Sequence, residues 1–191
     1  RKSLTMQIDA YHGTHAKNEA SIRAFGFLKS KETEYLGEGV YFFEKATFCD
    51  ALEEAKCWCK FVKKYEDKDI IVFQASIVSE KILDLVDNIE HRKIFDKVKK
   101  ALRLELKLNK SATDKSLEDF RVFHCIDKKK AFDVIRALID GAKREADFHT
   151  NIVRRPQIQI CVKDLTSIKT YNIIYRHQIG RYKQWTTLSE Y

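Results

Sequence analysis

The sequence predicts an α+β domain, and three observations carry that expectation. Strand-like apolar runs stand toward both ends of the 191 residues, while helical periodicity dominates a long stretch around 88–150. Hydrophobic residues make up 44% and aromatics 12%, enough for a packed core rather than a disordered chain. One proline, Pro156, and six glycines leave little room for long flexible linkers. Residues 1–191 are therefore read as a single domain with a helical insertion at about 88–150.

Leu4 to Tyr11 alternates weakly and reads as a first strand, ending at His12-Gly13-Thr14. A short helix over roughly 16–25 turns Ile22 and Phe25 inward. Gly26 stands where a left-handed C′ residue belongs, with Phe27 as its hydrophobic partner. Tyr35 to Phe43 reads as a glycine turn entering a β-rich strand. Thr47 and Asp50 make a helix start of the capping-box kind. Phe48, Ala51, Leu52, Ala55, Trp58, Cys59 and Val62 then recur at helical spacing to about Lys64. Asp69 to Ile77 reads as a buried strand. Asp87 and Glu90 form a capping pair for a basic helix whose Phe95, Val98, Leu102 and Leu106 share a face, and a polar break, Asn109 to Lys115, follows. A further helix is expected from near Asp127, with Ala131, Phe132, Ile135, Leu138, Ile139 and Ala142 inward. After Pro156, Gln157 to Val162 alternates as a strand, and Ile168 to Tyr175 reads as its neighbour.

The formal charge is +8, and the surplus falls entirely after residue 60. A basic surface attracts nucleic acid or membrane phosphates, and a solvated lysine-rich surface carries the same signature. No apolar run approaches the roughly 20 residues that span a bilayer, so no membrane association is expected. Five cysteines without a secretory segment read as reduced thiols in a cytoplasmic protein. Cys57-Trp58-Cys59 lacks the second ligand pair of a structural zinc site, so no metal is expected and these cysteines are read as small buried hydrophobes.

Two segments can carry chemistry. In Tyr11-His12-Gly13-Thr14, the glycine lets a ligand approach the backbone, whose N–H and C=O suit a planar amide, and the imidazole can bond a ribose hydroxyl. Taken alone, a structural His-Gly turn also accounts for it. In Gly37-Glu38-Gly39-Val40-Tyr41-Phe42, two glycines precede an aromatic strand. They can bring Tyr41 face-on to a flat heteroaromatic ring, or simply make a hairpin.

Together, Tyr-His-Gly-Thr, a helix, Gly26-Phe27 and Gly-x-Gly-Val-Tyr-Phe resemble the His-Tyr-Glu class of ADP-ribosyltransferases, which includes poly(ADP-ribose) polymerases and diphtheria-toxin-like enzymes. The resemblance covers roughly residues 5–64 and 155–175 and implies a split antiparallel sheet with flanking helices. It implies NAD⁺ as co-substrate, His12 on the adenosine ribose, the Gly13 backbone on the nicotinamide carboxamide and Tyr41 stacked on the nicotinamide ring. Thr14, Gly39, Phe48 and Cys49 complete the implied binding slot. The family's glutamate, which bonds the 2′-OH of the nicotinamide ribose, is matched by Gln159, with Gln157 two residues earlier on the same strand face. A glutamine can orient that hydroxyl but cannot act as a general base. Leu52 and Cys49 stand where the family often has a second aromatic and a serine. Phe43, Phe48 and Trp58 are either the substitutes for that wall or core residues.

The implied activity is mono-ADP-ribosylation of a macromolecule, with His12, Tyr41 and Gln159 as the catalytic set. Chain elongation, whose ribose nucleophile needs deprotonating, fits poorly with glutamine. The charge favours RNA or DNA over protein as acceptor, with Arg154, Arg155 and Lys128 as candidate phosphate contacts or plain exposed charges. Relatives lacking the glutamate include nucleic-acid-modifying enzymes and toxins, which fits a toxin or anti-phage effector restrained by an antitoxin protein. Two other readings stay open: a module that binds NAD⁺ or ADP-ribose without turnover, and an RNA 2′-phosphotransferase, which shares the fold and needs phosphate-directed arginines beside the slot.

Overall fold

The computed structural model describes residues 5–31, 34–105, 115–129, 132–141 and 156–177. These residues include seven strands in one sheet: β1 (Met6–His15), β2 (Val40–Glu44), β3 (Ile70–Ser79), β4 (Ile82–Asp84), β5 (Val134–Asp140), β6 (Pro156–Val162) and β7 (Ile168–Arg176). Their order is β4-β5-β6-β2-β1-β3-β7. Every neighbouring pair is antiparallel except β4 with β5. The fold is α+β.

Both faces of the sheet are covered, which is why β3 reads as a nearly unbroken apolar run rather than an alternating one. On one face Ile8, Ala10, Phe42, Phe73 and Ile160 pack under Ile22 and Phe27. Ile22 belongs to α1 (Glu19–Phe25), which follows a 3₁₀ turn at Ala16–Asn18. The Phe27 ring lies 5.4 Å from Phe42, 5.6 Å from Phe73 and 4.9 Å from Tyr171, edge-on to each. On the other face α2 (Ala51–Cys57) continues into a π-helical turn, Trp58–Val62, and sets Ala51, Ala55 and Cys59 over Phe43 and Val72. Beside it, α3 (Ile89–Glu105) and α4 (Lys115–Lys129) cover Leu83, Ile135, Ala137 and Cys161. Each large aliphatic or aromatic side chain so buried stabilises the fold by about 1.5–3 kcal/mol. No described helix is long and apolar enough to cross a membrane.

Several expectations are corrected. No helix runs on from Asp127: α4 ends at Lys129, and Val134–Asp140 is β5. The run Val-Ile-Arg-Ala-Leu-Ile fits either period, and the burial of Val134, Ile135 and Ala137 on successive faces is what an interior strand requires. The helical middle therefore narrows to 89–129 among the described residues, and β5 belongs to the main sheet. Leu106, Ala131, Ala142 and most of the Asn109 to Lys115 break lie outside the described residues.

Nor is β7 the neighbour of β6; it pairs with β3 at the opposite edge. Asp50, not Thr47, caps α2, accepting from the amides of Leu52 at 3.1 Å and Glu53 at 3.2 Å. Asn88, not Asp87, accepts from the amides of Glu90 at 3.0 Å and His91 at 3.2 Å at the start of α3. Strand β1 runs on through His12-Gly13-Thr14 rather than stopping there, and β4 was not foreseen. Phe25, expected inward, is 84% exposed. Gly26 has a positive φ, 80°, but with ψ at −172° it is an extended C-cap rather than the left-handed C′ residue expected, and its amide donates to Ile22 O at 2.8 Å.

Candidate functional site

Strands β1 and β2 pair through Ala10↔Glu44 and Tyr11↔Phe43 only. Yet β1 continues to His15 against β3, and β2 runs from Val40 against β6. Past Tyr11 the sheet is therefore split, and a cavity of about 670 Å³, counting its open mouth, occupies the gap. The part that a water-sized sphere can enter is about 140 Å³.

The split brings together residues that an unbroken ladder would separate. His12 pairs with Phe73 and shares the face of Phe42, whereas Tyr41 pairs with Cys161, and Gln159 with Phe43, on the other face. Side chains alternate strictly along strands, so these groups meet only where the strands have parted. His12, Gly13, Gly39, Tyr41 and Gln159 all line the cavity.

His12 Nδ1 lies 2.7 Å from the carbonyl oxygen of Tyr41, a side-chain bond across the gap the ladder leaves open. A carbonyl only accepts, so Nδ1 carries the hydrogen and Nε2 keeps a lone pair. His12 as a whole residue is half-buried, and its ring is wedged between Phe27 and Phe42, at 5.1 and 5.4 Å. Burial depresses its pKa below the usual histidine value, against the opposing pull of the Tyr41 carbonyl, so the imidazole is neutral at neutral pH.

Two glycines are fixed by space. A Cβ on Gly13 would lie 2.3 Å from Ala55 O, so only glycine lets α2 close on β1. A Cβ on Gly39 would lie 2.4 Å from Cys161 Sγ, so only glycine lets β2 start against β6. That thiol is pushed up to about 12 by burial and stays protonated.

The Tyr41 hydroxyl accepts from Leu36 N at 3.0 Å and donates to Gly37 O at 2.8 Å, which anchors the 34–37 turn to the ring. Tyr35, on that turn, tilts against Tyr41 at 5.4 Å and donates its hydroxyl to Gln159 Oε1. Burial raises both phenols well above the usual tyrosine value, so both remain donors. Gln159 and Gln157 are each only 5% exposed, so their carboxamides must find partners inside the protein. Gln159 Nε2 donates to Gln157 Oε1 at 3.2 Å, and Gln157 Nε2 donates to the Glu54 carboxylate.

The remaining sequence candidates lie elsewhere. Thr14 is buried, and its hydroxyl accepts from Asn18 Nδ2 at 2.9 Å, tying down the 3₁₀ turn rather than lining the cavity. Phe48 and Cys49 border a separate hollow with Tyr11, Asp50 and Ile174. Arg154 and Arg155 lie outside the described residues, as does the side chain of Lys128. Trp58 and Phe43, named for the second aromatic wall, do line the cavity. Tyr35, Glu34 and Lys63 line it too and were not singled out. Trp58 opens the π-turn, a feature that recurs at functional sites, and Lys63 Nζ sits 5.5 Å over its ring. Among the described residues no group of three His, Cys, Asp or Glu side chains is placed to hold a metal. No protein-family model matches the chain, and no curated protein or solved structure shows significant similarity to it.

Proposed function

We propose that the chain is an NAD⁺-dependent mono-ADP-ribosyltransferase whose nicotinamide end binds in the split between β1 and β2. One observation carries this reading: His12, Gly13, Tyr41 and Gln159, far apart in sequence, line one cavity. The nicotinamide ring would lie on Tyr41, whose hydroxyl is already fixed, with Trp58 and Phe43 supplying further aromatic wall. The His12 Nε2 lone pair suits a ribose hydroxyl donor. Gln159 Oε1 suits another, in place of the Tyr35 hydroxyl.

In the reaction the C1′–nicotinamide bond breaks and its electron pair leaves with the ring, turning a cationic leaving group neutral. The acceptor nucleophile bonds C1′, and its proton passes to water. Positioning and dipoles aimed at the developing positive charge supply most of the rate. The +8 charge favours a nucleic-acid acceptor over protein by phosphate attraction, and suits an effector restrained by a partner protein. The carboxamide at 159 favours one competing class, a module that binds NAD⁺ without turnover.

Incubation with labelled NAD⁺ and separate pools of RNA, DNA and protein tests the proposal. Label is expected in nucleic acid, with loss on Tyr41→Ala of about tenfold or more. Intact NAD⁺ with measurable binding would establish the binding module instead, and neither binding nor cleavage would end both readings.

A further inference from the structure

The donor sense of the Glu54–Gln157–Gln159–Tyr35 chain follows from its first member. A carboxylate only accepts, so Gln157 turns Nε2 toward Glu54 and Oε1 toward Gln159. Gln159 then spends Nε2 on Gln157 and turns Oε1 to the Tyr35 hydroxyl. The two ends of a carboxamide have nearly the same shape, and two neutral amides alone would run in either sense. The charge on Glu54, presented from α2, selects one of them.

Resting on the proposed function, we propose that Glu54 is a positioning residue: acting through Gln157, it holds Gln159 with an acceptor oxygen toward the cleft, and it supplies the negative charge that position 159 lacks. The same arrangement accounts for the carboxamide at 159. Gln157 offers one nitrogen end and one oxygen end, so it satisfies a carboxylate on one side only. A second carboxylate at 159 would face Gln157 Oε1, acceptor against acceptor. The chain thus accommodates one negative charge, and moving that charge from 54 to 159 turns Gln157 around without breaking a link.

Four proteins test this: wild type, Glu54→Gln, Gln159→Glu and the double variant Glu54→Gln/Gln159→Glu. NAD⁺ cleavage should fall by about tenfold or more in each single variant, as for loss of one charge-assisted hydrogen bond. The double variant should recover most of that loss, a rescue that a merely structural glutamate would not produce. Urea unfolding of the same four proteins, without NAD⁺, should show the same non-additivity. Additive effects in cleavage overturn the positioning role, even if unfolding shows coupling. If the wild type leaves NAD⁺ intact, the proposed function fails, and the link between 54 and 159 is judged by unfolding: additivity there overturns it and rescue supports it.

Discussion

Burial keeps His12 neutral in the folded chain, whereas the unfolded chain protonates it below about pH 6.5. Between the depressed folded value and 6.5 the unfolded state binds the extra proton. Stability therefore rises with pH across that window and is lost as pH falls through it, by at most about 1.4 kcal/mol per pH unit. Melting temperatures measured from about pH 8 to 5 should fall accordingly. His12→Asn, whose amide can still point at the Tyr41 carbonyl, should remove that part of the slope; an unchanged slope would assign it to other groups. Tyr35→Phe makes a second test. It strips Gln159 Oε1 of its donor and should cost about 1 kcal/mol of stability. It should also tighten NAD⁺ binding, because an arriving hydroxyl no longer has a competitor; weaker binding, read by calorimetry, would contradict that. His12, Gly13 and Tyr41 were legible in the sequence because side-chain type and neighbours define them locally. Tyr35 and Glu54 were not, since their bonds to Gln159 and Gln157 span 124 and 103 residues and exist only once the strands are in register.

Elements were legible where one period prevailed and opaque where two competed. The strand after Pro156 alternates without ambiguity and stands where expected, at Pro156–Val162. The run that became β5 offered apolar residues at both helical and strand intervals, and only its place between β4 and β6 decides between them. Beyond Cys57 the π-turn alters the phase of the helix that an α-period assumes, which leaves Val62 40% exposed although the spacing turned it inward. The contact between α2 and β1 gives a prediction at this scale. Gly13→Ala must drive Ala55 away from β1, and should destabilise the protein by about 1–3 kcal/mol. Near-wild-type stability in chemical denaturation would mean that α2 moves more freely than its packing implies.

For the whole molecule, the strand order was out of reach of the sequence, because pairings such as β2 with β6 join segments more than a hundred residues apart. Arg136 shows what holds one side of the sheet together. Burial works against its charge, yet ion pairs with Glu44 at 2.6 Å, Asp87 at 2.6 Å and Asp84 at 3.0 Å outweigh this and raise its pKa. It thereby ties β5 to β2, to β4 and to the loop before α3. Arg136→Ala leaves the buried Asp84 without that partner and should cost about 3–5 kcal/mol, while Arg136→Met, which keeps the packing volume, should cost less. Equal losses would place the contribution in charge alone.

The two-pair contact of β1 with β2 also divides the sheet into two leaves, β4-β5-β6-β2 and β1-β3-β7, hinged along a short backbone seam. A molecule gripping both shores of that seam would lace the leaves together where the main chain does not. Amide hydrogens at Tyr11 and Phe43 should then exchange more slowly, and melting should rise in step with occupancy, before any bond in the guest has been broken.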